Sequence, residues 1–296
     1  MRAAVIFGPG ASSKDVERFQ RNSEIRWIAG VPRDHEEADA ILIFGGDGTI
    51  HRHLAQLVQL RIPILVVPCG SGNDFARALN LRNVRDSLAA WRRFTSSIGH
   101  PRTIDLGVIR PLATEPDGSN ESAHHYFCCV GGVGLDGEIA RRANRLPRWL
   151  RAHGGYILSL VPALLKFAPI PMKISASPAE DPNQFANQKA QSVVVAVFAN
   201  APAFGGGMRI APGAQLDDGI LDVCIVPEMS RLKLFCLFPT IYFGGHLSVP
   251  GVQFFRTKLV RLDTETTLDV YADGEYVCQT PVEVSVAPAA LHVIAP

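Results

Sequence analysis

The chain has six cysteines but no C-x-x-C pair and no regular spacing between them. Neither a zinc site nor a disulfide framework is indicated, and the expected compartment is a reducing cytosol. There is no excess of either charge: 29 basic residues against 28 acidic ones leave a net +1. That speaks against nucleic-acid binding, which needs a basic surplus to displace counterions. No clean apolar run reaches the roughly 18 residues of a membrane span. The nearest stretches, 156–172 and 232–249, are interrupted by Lys and Pro and read as buried or interfacial helices. The opening MRAAVIFGPG has too short an apolar run for a signal peptide, so no targeting segment is expected. Also absent are a G-x-x-x-x-G-K-[ST] phosphate loop, a protein-kinase signature set, an H-E-x-x-H zinc motif and any internal repeat.

What is present is the composition of a globular protein: 47% hydrophobic and 19% charged over 296 residues, a length that favours about two domains. In the first hundred residues short apolar runs alternate with helical patterns. The runs are Ala3–Phe7, Ile25–Ile28, Ala40–Phe44 and Ile62–Val67; helices are expected after Gly10 to about Asn22, over 50–60, 75–80 and 84–94. Strand, Gly-rich turn and helix in repetition predict a parallel sheet with crossover helices. After about Ile104 the texture turns to short β-branched runs separated by Pro-, Asn- and Asp-rich loops, which predicts an antiparallel β domain. A helical insertion is expected at about 135–168. The boundaries are therefore placed at 1–104 and 105–296, with the last few residues able to return to the first domain.

Two loops in the first domain follow strand ends, where open α/β sheets bind ligands. Gly45-Gly46-Asp47-Gly48-Thr49 lets the backbone approach a phosphate, and the following helix aims N–H groups at it. Asp47 needs a cation or a donor between itself and a phosphate, which suggests magnesium. The plain alternative is a tight strand-to-helix turn capped by Asp and Thr. Pro68-Cys69-Gly70-Ser71-Gly72-Asn73-Asp74 repeats the same physics, with Ser71 offering a hydroxyl and Asn73 holding a base or a backbone edge. In the second domain, Asn200–Met208 (NAPAFGGGM) precedes Leu216-Asp217-Asp218-Gly219-Ile220. Its Asp-Gly offers a carboxylate and carbonyls to a hard cation, or simply makes a hairpin turn. Asp273-Gly274-Glu275, between two strand runs, reads first as a hairpin turn. The adjacent Cys128 and Cys129 suit a buried strand better than a metal.

In this order, GGDGT, P-x-GSGNDFA, Asp105-Leu106-Gly107, Gly132-Val133-Gly134-Leu135-Asp136, NAPAFGGGM with APGAQLDDGILDV, and DGE resemble the diacylglycerol kinase catalytic family, which includes sphingosine and ceramide kinases and soluble bacterial lipid kinases. The resemblance covers residues 40–280. It implies a Rossmann-like N-terminal domain and a C-terminal antiparallel β-sandwich, with ATP in the cleft between them. The nucleotide contacts it implies are Gly45, Gly46, Asp47, Gly48, Thr49, Ile50, Gly70, Ser71 and Asn73. Asp273 is implied as general base with Asp47 as its rival, and Glu275 joins Asp47 in a magnesium network. A structural magnesium is implied at Asp218 with the carbonyls of Gln215 and Ile220, and an acceptor contact at Asp136. The segments 154–167 and 232–249 are expected to offer apolar surface to an acyl chain, although core packing accounts for most such side chains. Arg141, Arg145 and Arg148, on one helical face, suit either an anionic membrane or solvent.

The sequence departs from the family pattern in its nucleotide half. The opening Asn-Pro is replaced by Gly8-Pro9, the stretch Ile28–Asp39 is too short for the expected helix, and Arg52 stands where a Glu is usual. The leading expectation is an ATP- and magnesium-dependent kinase acting on a lipid hydroxyl, cytoplasmic or peripheral on the inner membrane surface, with a homodimer possible. The alternatives are a small-molecule kinase like NAD kinase, and a non-catalytic nucleotide or lipid sensor.

Overall fold

The run Ala40–Gly45 is buried at every residue, the signature of a central strand in a parallel sheet covered on both faces. In the computed structural model, which describes residues 1–20, 24–112, 124–135, 137–139, 142, 162–163, 167–177 and 190–296, this run is β3. It lies between β1 (Arg2–Phe7) and β4 (Ile64–Pro68), parallel to both, and β2 (Arg26–Ala29) pairs with the other edge of β1. Helix α1 (Ser13–Val16) is one turn long, where a pattern to about Asn22 predicted more. The stretch offers only Val16 and Phe19 for burial, and Phe19 turns in to meet Phe44 edge-on at 5.3 Å. Residues 30–39 pass from β2 to β3 without a helix, as their length required. Helix α2 (Asp47–Leu60) packs on β3 through Ile50, Leu54 and Leu57, all buried, and ends at Arg61 in the left-handed region. Short α3 (Asp74–Ala78) follows β4. Helix α4 (Val84–Thr95) is capped by Asn83, whose side chain accepts from the N–H groups of Arg85 and Asp86. It packs on β4, where Ser87 Oγ donates to the Val66 carbonyl at 2.8 Å.

These elements belong to a first unit, Met1–Asp105 with Pro288–Pro296. The returning segment extends the sheet: Val293 pairs parallel with Ile64. Asp105, 5% exposed, accepts the N–H of Ala289 at 2.7 Å and ties that segment down.

The second unit, Leu106–Ala287, is antiparallel. Strand β5 (Arg102–Pro111) enters it and pairs with β6 (His125–Phe127). Its other strands are β7 (Val130–Gly134), β8 (Ile170–Ala176), β9 (Gln191–Ala199) and β10 (Leu221–Pro227). After helix α5 (Arg231–Ile241) come β11 (Gln253–Thr257), β12 (Leu259–Thr264), β13 (Asp269–Ala272), β14 (Glu275–Gln279) and β15 (Val282–Val293). The spatial order runs β14-β13-β7-β9-β8-β12-β15, and β10 with β11 branches from β9. Phe127, Phe198, Val223, Val260 and Val284 meet in a buried core, as sheets packed face to face require. Of the helical insertion expected over 135–168, most lies outside the described residues. The pair Cys128-Cys129, expected in a strand, instead forms the bend between β6 and β7.

Candidate active site

In the first unit the two Gly-rich loops leave the carboxyl ends of neighbouring parallel strands, β3 and β4, and touch. A Cβ on Gly70 would stand 2.6 Å from the Gly46 Cα, and one on Gly46 would stand 2.9 Å from the Gly70 Cα. Backbone therefore meets backbone, a distance only glycine permits. Asp47 ties the loops further. One carboxylate oxygen accepts the N–H of Asp74 and the other that of Phe75, each at 3.1 Å. Asp47 thus sits in the first turn of α2 and caps the start of α3 across the loops. The N-terminus of α3 is satisfied by this carboxylate, whereas α2 begins at Gly46 with no side-chain cap.

The remaining nucleotide candidates divide by position. Gly48 and Ser71 lie at the loop surfaces, with Ser71 exposed. Thr49 and Ile50 turn inward at 7% and 1% exposure, Thr49 against Gly8 and Gly45, so only their backbone can face a ligand. Asn73, in the left-handed region, spends its side chain on Gly70, accepting its N–H at 2.9 Å and donating to its carbonyl at 2.6 Å. It holds a backbone edge. Arg52 is exposed. His53 beside it is held below its ordinary range by burial and by that guanidinium.

In the second unit Asp273 and Gly274 both have positive φ and join β13 to β14, the two-residue hairpin that Asp-Gly predicts. The carboxylate of Asp273 reaches back across 145 residues to the bend at 128–130. Oδ2 accepts the N–H of Cys128 at 2.7 Å, and Oδ1 accepts those of Cys129 and Val130 at 2.9 and 3.1 Å. The Asp273 N–H returns to the Val130 carbonyl at 2.9 Å. Sequence reasoning singled out Asp273 but missed this amide cradle, because nothing local marks residues 128–130 as its partners. Glu275 is exposed at the start of β14. Asp136 lies outside the described residues.

At the Asp217-Asp218-Gly219 turn, Asp218 accepts the N–H of Ile220 at 3.2 Å and pairs with Arg256. Arg256 stands directly opposite Asp222 in the β10–β11 register, with Nε 3.6 Å from the Asp222 Oδ1. Asp222 is 2% exposed, and its Oδ2 has no hydrogen-bond partner among the described residues. Burial, offset in part by Arg256, pushes its carboxyl up to about 6. Two carboxylates thus share one guanidinium, with one buried oxygen unmatched, and among the described residues no group of three or more His, Cys, Asp or Glu side chains is placed to hold a metal ion.

The diacylglycerol kinase catalytic domain matches residues 14–109, and the YegS C-terminal NAD kinase beta sandwich-like domain matches residues 130–295. A diacylglycerol kinase of Mycobacterium tuberculosis is 33% identical over 258 residues, covering 87% of this chain and 77% of its own. The chain belongs to the diacylglycerol kinase family. That membership makes it a lipid kinase, as the motifs implied. A crystal structure of a diacylglycerol kinase from Bacillus anthracis aligns with a TM-score of 0.66 at 17% identity, over 100% of this chain and 97% of that one. A structure of an Archaeoglobus fulgidus NAD kinase in complex with ATP aligns at 0.52 and 14%, over 99% of this chain and 92% of that one. Both likenesses carry the fold, an α/β unit followed by a β-sandwich, as expected. Arg142, next to the arginine face expected at 141–148, is paired with Glu138 at 2.5 Å; Arg141, Arg145 and Arg148 lie outside the described residues. Among the described residues no helix is long and apolar enough to cross a membrane.

Proposed function

We propose that this lipid kinase moves the γ-phosphoryl group of ATP to a lipid hydroxyl, with diacylglycerol or a related lipid as acceptor, and does so with magnesium. The observation that carries the nucleotide half is the pair of touching Gly-rich loops clamped by Asp47. They present backbone at two strand ends beside the uncapped start of α2, where helix N–H groups favour an anion. Gly45, Gly46, Gly48, Gly70 and the Ser71 hydroxyl would contact the phosphates there.

Asp273 is the proposed base. It would take the proton of the acceptor hydroxyl as the phosphoryl group transfers. Three amides fix its carboxylate, so its orientation is set before substrate arrives, which is where positioning gains are made. Magnesium, when bound, would neutralise charge on the phosphates, and Asp47 would be its carboxylate ligand in the first unit. A second ion would be held at Asp218 with the carbonyls of Gln215 and Ile220, where it would brace the turn.

The acceptor sits in a bilayer, so contact with an anionic membrane belongs to this reading. Helix α5 supports it. Leu232, Cys236 and Pro239 fall within an arc of about 60° on its exposed side, and Phe243 is exposed in the turn that follows it. Leu234 and Leu237 are buried on the other, and Arg231 and Lys233 are exposed at its start. Cosedimentation with anionic and neutral vesicles checks this surface, with Leu232→Asp and Phe243→Asp expected to weaken anionic binding.

The reaction itself is tested by Asp273→Asn. The variant keeps the size of the side chain, its fold is checked by circular dichroism, and it is expected to lose transfer to diacylglycerol micelles by about 100-fold or more. Equal rates for variant and parent would remove Asp273 from the base role.

A further inference from the structure

The motif Asn200–Met208 contains a residue that no step above uses. Asn200 is 1% exposed and lies just past the end of β9, beside the bend that cradles Asp273. Its backbone N–H donates to the Cys129 carbonyl at 2.8 Å, and its side-chain Nδ2 donates to the Cys128 carbonyl at 3.0 Å. The N–H of Ala201 adds a second bond to the Cys129 carbonyl at 3.1 Å.

These carbonyls are not incidental. The Cys128 carbonyl shares a peptide plane with the Cys129 N–H, and the Cys129 carbonyl shares one with the Val130 N–H. In a trans peptide the two groups point in opposite directions and cannot turn independently. Asn200 therefore grips, from one side, the two planes whose N–H groups hold Asp273 Oδ1 on the other, at 2.9 and 3.1 Å. Accepting a bond at the carbonyl also polarises the peptide and strengthens donation from its N–H.

We propose that Asn200 is a positioning residue for the reaction: it fixes the 128–129 and 129–130 peptide planes and so sets the direction in which the Asp273 carboxylate accepts a proton. An asparagine does this because it supplies two N–H donors, one from the backbone and one from a short side chain, to two successive carbonyls. Alanine keeps the first donor and loses the second. This inference rests on Asp273 acting in the reaction, and the test separates the two.

The experiment measures steady-state transfer to diacylglycerol micelles for the parent, Asn200→Ala, Asn200→Ser, Asp273→Asn and the double variant Asn200→Ala/Asp273→Asn. Loss of alignment is expected to lower kcat of Asn200→Ala about 10- to 100-fold, with KM for ATP within about twofold of the parent. Serine, which retains a short donor, recovers part of the rate. The double variant falls no lower than Asp273→Asn alone, because Asn200 acts through that carboxylate. Selective 15N-cysteine labelling provides a readout that survives loss of activity. The Cys129 amide resonance moves in Asn200→Ala and in Asp273→Asn, while that of Cys236, on α5, stays in place. An unchanged kcat in Asn200→Ala, an additive double variant, or a Cys129 amide that does not respond overturns the proposal. An active Asp273→Asn overturns the base assignment on its own, whatever Asn200 does.

Discussion

Single residues in this protein are held by backbone amides and carbonyls more than by other side chains. Asp47 is the clearest case, one carboxylate accepting two N–H groups at the start of α3. Asp47→Ala leaves those donors without their acceptor, and a cost of about 1 kcal/mol is expected, typical of a lost helix cap. The same change should raise KM for ATP by about tenfold or more, since the two loops are no longer held together; thermal melts and kinetics read the two effects separately. His246 is a second case. It is fully buried, its Nε2 bonds the Ile210 carbonyl at 2.9 Å, and its Nδ1 has no partner among the described residues. Burial holds it below the ordinary 6.5, so the folded protein keeps the ring neutral. Its contribution to stability is therefore complete above pH 6.5 and declines as the pH falls below that value. Melting temperatures measured from pH 7.5 to 5 should drop more steeply for the parent than for His246→Gln.

At the scale of elements, the loops matter as a pair. Gly70→Ala sets a Cβ 2.6 Å from the backbone of Gly46, a contact neither loop can relieve by rotating a side chain. The loops must part, and a loss of about 1–3 kcal/mol is expected together with weaker ATP binding by calorimetry. If Gly70→Ala binds ATP as the parent does, the loop contact is not part of the nucleotide site. How far such features could be read in advance depended on whether their cause is local. The run Ala40–Phe44 is continuous and apolar, and became β3 with one residue added. The strand β8, with Pro171 and Lys173 in it, and β11, with alternating exposure, lacked that pattern and were not foreseen. Cys128 and Cys129, read as part of a strand, form a bend between β6 and β7, because the Cys128–Val130 amides turn to a carboxylate 145 residues away. The GGDGT and GSGND loops were legible because glycine spacing is a local signal. That Arg256 lies opposite Asp222 follows from a pairing formed only on folding.

For the whole molecule, the parallel unit carries the two Gly-rich loops and the antiparallel unit carries Asp273 and the Asp218 turn, and the catalytic and sandwich family models match one unit each. The replacement of a helix by residues 30–39 and the exposed Arg52 thin the nucleotide half without disturbing the clamp at Asp47. A working enzyme is expected. Magnesium-dependent phosphoryl transfer is tested by incubating the purified protein with ATP labelled at the γ-phosphate and a panel of lipids in detergent micelles, with and without magnesium. Label entering one class of lipid hydroxyl, and only when magnesium is present, is the predicted result. Label in no lipid while ATP still binds, or transfer that magnesium does not affect, would contradict it.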